Sequence, residues 1–161
     1  MTLIEVKRAC IGLLQTPFPT SAYNYYNAAV VENYKRPAIF TQLKITALEP
    51  GNYNSERVSA SFYITYLQAV LDELDAYRFA EAVRIAFRQA IRVQCTDDNG
   101  DGYTRYVDVT GFEYDLSGTD RNIMEIAIDL EWHEVITRSE IADIMETLEV
   151  DKKLKVNYKE G

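Results

Sequence analysis

One short segment carries the residue types of a calcium-binding loop. Residues 97–102 read Asp-Asp-Asn-Gly-Asp-Gly, which places oxygen-bearing side chains at loop positions one, three and five (Asp97, Asn99 and Asp101) and glycine at position six. Position twelve is Asp108, whose short side chain reaches a bidentate geometry less easily than Glu, and a strand pattern follows where an EF-hand needs a helix. Because Asp, Asn and Gly also favour tight turns, we interpret the segment as a turn and keep the calcium site as the alternative.

No pattern in the sequence predicts catalysis. His133 is the single histidine, and no motif supplies the nucleophile and orienting acid that a catalytic histidine needs. Neither the glycine-rich dinucleotide pattern nor the Walker pattern is present in the sequence. We therefore predict that the protein is not an enzyme and uses no cofactor.

Two sets of charged residues recur at regular spacing. Arg84, Arg88 and Arg92 stand four residues apart, so a helix through them would carry a basic stripe. Carboxylates alternate with apolar residues in a predicted strand and would share its acidic face (Glu125, Asp129 and Glu131). Two interpretations stay open: both sets are solvated surfaces, or they are complementary contacts between copies of the chain.

Composition narrows the class of protein. The chain has 161 residues and a net charge of -8, and we expect a single domain, 1–161. This charge argues against specific nucleic-acid binding, which depends on neutralising phosphates. Cys10 and Cys95 form no paired motif, and an acidic residue, Glu5, interrupts the apolar N-terminal segment. Without a membrane-spanning apolar run, the sequence predicts a soluble intracellular protein.

Hydrophobic periodicity predicts the elements. Thr2 and Glu5 have capping-box spacing and open a helix at 3–15. A second helical pattern lies within 68–94, and Ser139 could cap a helix at 140–148. Alternating residues predict a short strand within 20–34 and further strands at 38–48, 57–67, 103–114 and 122–136. The order predicts an α+β fold, an antiparallel or mixed sheet with two main helices packed on one face, and the lysine-rich tail 151–161 frayed or ordered by a partner.

A resemblance begins at Tyr34, where the sequence runs Tyr-Lys-Arg-Pro-Ala-Ile-Phe-Thr-Gln-Leu. The pattern R-P-A-x-F-x-Q-L at the start of a central strand, with the order of elements around it, resembles tail terminators. This family belongs to phages, prophages and phage-tail-like bacteriocins of Gram-positive bacteria, particularly those with contractile tails. The stretches 20–34, 97–103 and 117–121 depart from the shorter pattern of the family.

The resemblance implies a tail-terminator-like fold and a structural role in a virion or tail-like particle. Such a protein forms a ring, expected to be hexameric, that caps the tail tube and contacts tube, sheath and neck or collar proteins after assembly in the host cytoplasm. Two alternatives remain: a connector or stopper of the same particle, and a calcium-binding interaction domain.

Overall fold

The computed structural model describes residues 1–27, 33–52, 54–97, 99–118 and 123–135. The helices are α1 (Leu3–Gln15) and α2 (Glu73–Ala86). The strands are β1 (Asn24–Asn27), β2 (Ala38–Asn52), β3 (Ser55–Leu67), β4 (Ile91–Thr96), β5 (Gly102–Ser117) and β6 (Ile123–Val135).

Helix α1 begins at the predicted capping box. The Thr2 hydroxyl accepts the Glu5 backbone N–H at 3.3 Å, and the Glu5 carboxylate accepts the Thr2 backbone N–H at 2.6 Å. The same carboxylate accepts the backbone N–H of Thr96 at 3.0 Å, which ties the start of α1 to the end of β4. The predicted helix at 3–15 is confirmed, and one of its faces is buried (Val6, Cys10 and Leu14).

The six strands form one curled mixed sheet in the order β1-β2-β3-β6-β5-β4. The β1 strand is parallel to β2, and every other neighbouring pair is antiparallel. The long strand β5 pairs with β4 along its first part and with β6 along its second, with a bulge between Val109 and Gly111. The fold class predicted from the sequence, α+β with a mixed sheet and two helices, is confirmed.

A single core joins the helices to the inner face of the sheet. Alternate residues of β3 and β6 point inward, as predicted, because a strand presents successive side chains to opposite faces. The two strands contribute large buried side chains to this core: Phe62, Ile64, Tyr66, Met124, Ile126, Ile128, Leu130 and Trp132. From α2 the buried residues are Ala76, Phe79, Ala80 and Val83. Phe79 stacks on Tyr66 and Phe18, with ring centroids 4.1 and 4.3 Å away.

The helix predicted within 68–94 is confirmed, but it is shorter than expected, and Arg88 and Arg92, which were expected on it, lie outside it. Helix α2 ends at Ala86, and Ile91 begins β4, in which Ile91, Val93 and Cys95 are buried while Arg92, Gln94 and Thr96 are exposed. Ile91 fits both the 3.6-residue and the two-residue period, so periodicity could not locate the boundary. The following turn therefore joins two strands, β4 and β5, as a hairpin.

The turn between β2 and β3 also lies later than the sequence indicated. Pro50 and Gly51 belong to β2, and Asn52 pairs with Ser55 across the turn. Proline is tolerated there because, among the described residues, β1 pairs with β2 only from Ala38 to Thr41, and no strand pairs with β2 beside Pro50 on that side. The predicted helix at 140–148 and the tail 151–161 lie outside the described residues.

Candidate interaction surface

The outer face of the sheet is acidic. Glu125, Asp129 and Glu131 project from this face of β6, as predicted, because the intervening residues are buried. The adjoining strand β5 adds three further carboxylates to the same face: Asp108, Glu113 and Asp115. We call these six residues the acidic face. The sequence did not predict that Asp108, Glu113 and Asp115 lie on this face. The face that each β5 side chain occupies depends on the register with β6 and on the bulge between Val109 and Gly111.

Two pairs of like charges lie directly opposite each other on the acidic face. Asp115 pairs with Glu125, and Asp108 pairs with Glu131. Directly opposed like charges destabilise an antiparallel pair. Arg57 offsets the repulsion in the second pair, since its guanidinium lies 3.8 Å from the carboxylate of Glu131. The same guanidinium binds the carboxylate of Glu49, and the two carboxylates, Glu49 foremost, raise the pKa of Arg57. Among the described residues no basic side chain forms an ion pair with Asp115 or Glu125.

Asp129 is held in place at the centre of the acidic face. The buried hydroxyl of Ser61 donates to Asp129 Oδ1 at 2.6 Å. A β-carbon on the cross-strand neighbour Gly111 would lie 2.6 Å from Asp129 Oδ2, so glycine provides the space that the carboxylate occupies. The arrangement positions a carboxylate without neutralising it.

A shallow cavity of about 410 Å³ opens on one end of the acidic face. Its polar lining residues are Gln42, Tyr63, Thr65, Glu113, Asp115 and Glu125. The lining therefore combines carboxylates with an aromatic ring and neutral hydrogen-bonding groups, a surface suited to a basic protein segment.

The predicted basic stripe does not exist. Arg84 is in the last turn of α2 and donates to both oxygens of Glu81, at 2.8 and 2.6 Å. Arg88 follows the end of the helix, and Arg92 belongs to β4. All three are exposed, but the four-residue spacing carries them on a common face only while a helix continues.

Helix α2 and the residues just before it instead expose an apolar stripe, in which Leu74 and Ile85 face away from the buried side of the helix and Tyr77 meets Tyr114 at the edge of the sheet. Leu74, Tyr77 and Ile85 are 42% to 65% exposed, and the preceding Val70 and Leu71 are 78% and 60% exposed. We call these five residues the α2 apolar stripe. Next to Ile85, Leu13 and Pro17 line a groove between the two helices. Large contiguous apolar patches on folded chains are candidates for contacts with other molecules, so this stripe is a candidate interaction surface.

The Asp97 loop is organised by local hydrogen bonds. Asp97 Oδ1 accepts the backbone N–H groups of Asn99 and Asp101 at 3.0 and 2.7 Å, and Gly100 has a φ of 89°. This is the geometry of a tight turn, in which the Asp97 carboxylate faces its own backbone. Within the described ranges no group of three His, Cys, Asp or Glu residues could hold a metal ion.

His133 lies exposed on β6 opposite Arg57. In the part of the chain that the structure describes, its imidazole makes no hydrogen bond to a hydroxyl or thiol. Absence of enzymatic activity stays a prediction. None of the described helices is long and apolar enough to cross a bilayer.

Comparison with known proteins leaves the family open. A scan against family models finds none that matches the chain, and a search of curated proteins finds no relative.

Proposed function

We propose that the protein is a tail terminator, one subunit of a ring that caps the head-proximal end of a phage or phage-like tail tube. The ring stops tube polymerisation and joins the tube to the sheath and to neck or collar proteins. The pattern at residues 34–43 supports this proposal by its resemblance to the family. It surrounds the start of β2, where Phe40 stacks on Tyr26 and meets the edge of the Tyr34 ring.

The observation that carries the proposal is that one subunit has two different exposed surfaces, the acidic face and the α2 apolar stripe. The acidic face lies on the outer side of the sheet, whereas Leu74 and Ile85 of the α2 apolar stripe face away from the buried side of the helix that covers the inner side. Closed rings are built from such heterologous contacts, in which each copy uses one surface toward each neighbour. Apolar side chains supply affinity in these contacts, while charge sets orientation.

Deletion of the gene tests the role in the particle. We expect tails of uncontrolled length, or tails that fail to join heads, because the tube end is no longer capped. Electron microscopy of particles from the deletion strain measures both properties. Length-regulated tails joined to heads in that strain would rule the proposal out.

Polar substitution of the α2 apolar stripe tests the ring itself. The double variant Leu74→Gln, Ile85→Gln should weaken self-association by at least about tenfold, because each lost apolar anchor costs on the order of 1–2 kcal/mol. Analytical ultracentrifugation measures the change. Leu48→Gln is the matched control, since Leu48 and Ile85 are both 54% exposed but Leu48 lies in the β2–β3 hairpin. Equal association of the double variant and the control would exclude the stripe from the ring contact.

A further inference from the structure

Within the described part of the chain, the strand β5 has an edge next to the acidic face that no other strand pairs with, and we call it the free edge. On one side β4 pairs with residues Gly102 to Val107, and on the other side β6 pairs with Asp108 to Ser117. Among the described residues no strand pairs with β5 beyond Val107 on the β4 side. Unpaired backbone N–H and C=O groups at such an edge form a template for a further strand.

The two sides of this free edge differ in chemistry. Toward the outer face β5 presents Glu113 and Asp115, both exposed. Toward the inner face it presents Phe112, Tyr114 and Leu116. Tyr114 remains 54% exposed there, with its ring edge-on to Tyr77 of α2 at 6.3 Å. A strand that completes this edge must therefore be basic on one side and apolar on the other.

The C-terminal segment has that alternation. Residues 152–159 read Lys-Lys-Leu-Lys-Val-Asn-Tyr-Lys. In an extended strand, Lys153, Lys155 and Lys159 share one side with the polar Asn157, while Leu154, Val156 and Tyr158 share the other side, which Lys152 begins. The lysines match the carboxylates of β5, and the apolar residues match the exposed inner side at Tyr114 and Tyr77.

We propose that residues 152–159 of one copy bind as an added antiparallel strand along the free edge of β5 in the neighbouring copy. Backbone hydrogen bonds supply affinity in this mode, and the alternating side chains supply specificity. The lysines also relieve the repulsion between Asp115 and Glu125, which face each other across β5 and β6. Because the neighbouring copy belongs to the proposed ring, this strand exchange rests on the self-association part of the proposed function.

The path of the chain favours the neighbouring copy over the same copy. Strand β6 ends at Val135, beyond Glu131, at the end of the sheet where Asp108 lies. A segment entering the edge of its own β5 from there runs parallel to β5, whereas antiparallel pairing is the more stable arrangement. Antiparallel entry in the same copy begins near Ser117, which pairs with Ile123 and so lies about 40 Å from Val135 at about 3.3 Å per residue. Residues 136–151 connect Val135 to Lys152 and could span about 53–58 Å when fully extended. With the helix predicted at 140–148, at about 1.5 Å per helical residue, the same connection reaches only about 38 Å, just short of Ser117.

Cross-linking between two tagged full-length variants tests the exchange. One variant carries Glu113→Cys and the other Lys155→Cys; the native Cys10 and Cys95 are buried. After mixing and mild oxidation, we expect a disulfide-linked dimer that contains both tags. Leu48→Cys replaces Glu113→Cys as the control, since it lies on the distant hairpin of β2, and it should give at least about tenfold less mixed dimer.

Two results of the cross-linking experiment would overturn the proposal. One is the absence of mixed dimer above the control. The other is a disulfide that forms within single chains carrying both Glu113→Cys and Lys155→Cys, without mixed dimers, since the segment would then bind its own copy.

As a second readout, the triple reversal of Lys153, Lys155 and Lys159 to Glu should weaken self-association about tenfold at low salt while circular dichroism stays unchanged. Unchanged association would equally contradict the exchange. The cross-link uses purified protein without tubes, so it can succeed even if the deletion strain makes normal tails.

Discussion

Asp115 on β5 and Glu125 on β6 are direct cross-strand neighbours, with both side chains on the outer face of the sheet. Among the described residues neither carboxylate has an ion-pair partner. Such a pair lowers the stability of the isolated subunit, and a basic partner strand would turn the same two charges into a favourable contact.

Neutralising one member of this pair should therefore stabilise the isolated subunit. We expect Asp115→Asn to raise the free energy of unfolding by about 0.2–1 kcal/mol at neutral pH and low salt. Added salt should shrink the difference, because exposed charges are screened. Glu113→Gln is the control, since its cross-strand neighbour is the uncharged Ala127. Urea denaturation of both variants at two salt concentrations makes the comparison, and an equal gain in both would mean that net charge, not the pair, is responsible.

The space at Gly111 gives a second prediction. Gly111→Ala places a methyl group against the Asp129 carboxylate, which must turn away from the Ser61 hydroxyl. Leaving that buried hydroxyl without its hydrogen bond should cost about 1–3 kcal/mol. Adding Ser61→Ala should recover part of the loss, because it removes the hydroxyl that has lost its hydrogen-bond partner. Calorimetry of the single and double variants would show the reverse order if Gly111 only provided backbone freedom.

Gly12, unlike Gly111, has space for a methyl group. It lies in the middle of α1, and among the described residues no atom outside the backbone of the helix itself and the two neighbouring residues lies within 4 Å of an added β-carbon. Gly12→Ala should therefore stabilise the protein by about 0.5–1 kcal/mol through helix propensity. A thermal unfolding curve measures the shift, and a lower melting temperature would mean that the site touches something in solution.

Glu5 predicts a loss of stability in acid. Hydrogen bonds from the backbone N–H of Thr2 and then of Thr96 hold the pKa of the Glu5 carboxyl below its usual value of 4.5. The folded state therefore favours the ionised form, so this contribution is present above pH 4.5 and disappears as pH falls through the lower folded value. Glu5→Gln should melt at a lower temperature at pH 7, and its difference from the parent should shrink as the pH falls below 4.5. A difference that persists in acid would contradict this account.

Cys10 predicts a loss of stability in alkali. Burial raises the pKa of the Cys10 thiol from 9.0 to about 12, so the folded state keeps the proton that the unfolded chain releases. Between these two values the unfolding equilibrium should favour the unfolded state about tenfold more per pH unit from this group alone. Cys10→Ala should flatten the decline in urea stability between pH 9 and 11, measured beside Cys95→Ala. The native thiol should also resist a thiol reagent at pH 8, and rapid labelling without denaturant would refute the burial.

Local sequence patterns were sufficient for most of the elements. The Thr2–Glu5 capping box located α1 because both hydrogen bonds join residues three apart. Strict alternation identified the two faces of β6, including Glu125, Asp129 and Glu131, because a strand has a period of two whatever its neighbours are. The end of α2 was not predictable in the same way. Ile91 fits both the 3.6-residue period of a helix and the two-residue period of a strand, and the exposed residues Arg88 and Arg92 are equally compatible with a helix, a turn or a strand.

The sequence by itself determined the α+β class, the buried faces of α1, β3 and β6, and the turn at Asp97, all of which depend on spacings of a few residues. Only the tertiary structure decided which strands are neighbours. The β5–β6 register brings Asp115 beside Glu125, and the early end of β4 pairing leaves β5 with a free edge. These relationships join positions that no local period connects. They follow from how the whole sheet buries its inner face, because a shift of one residue would turn that face toward solvent.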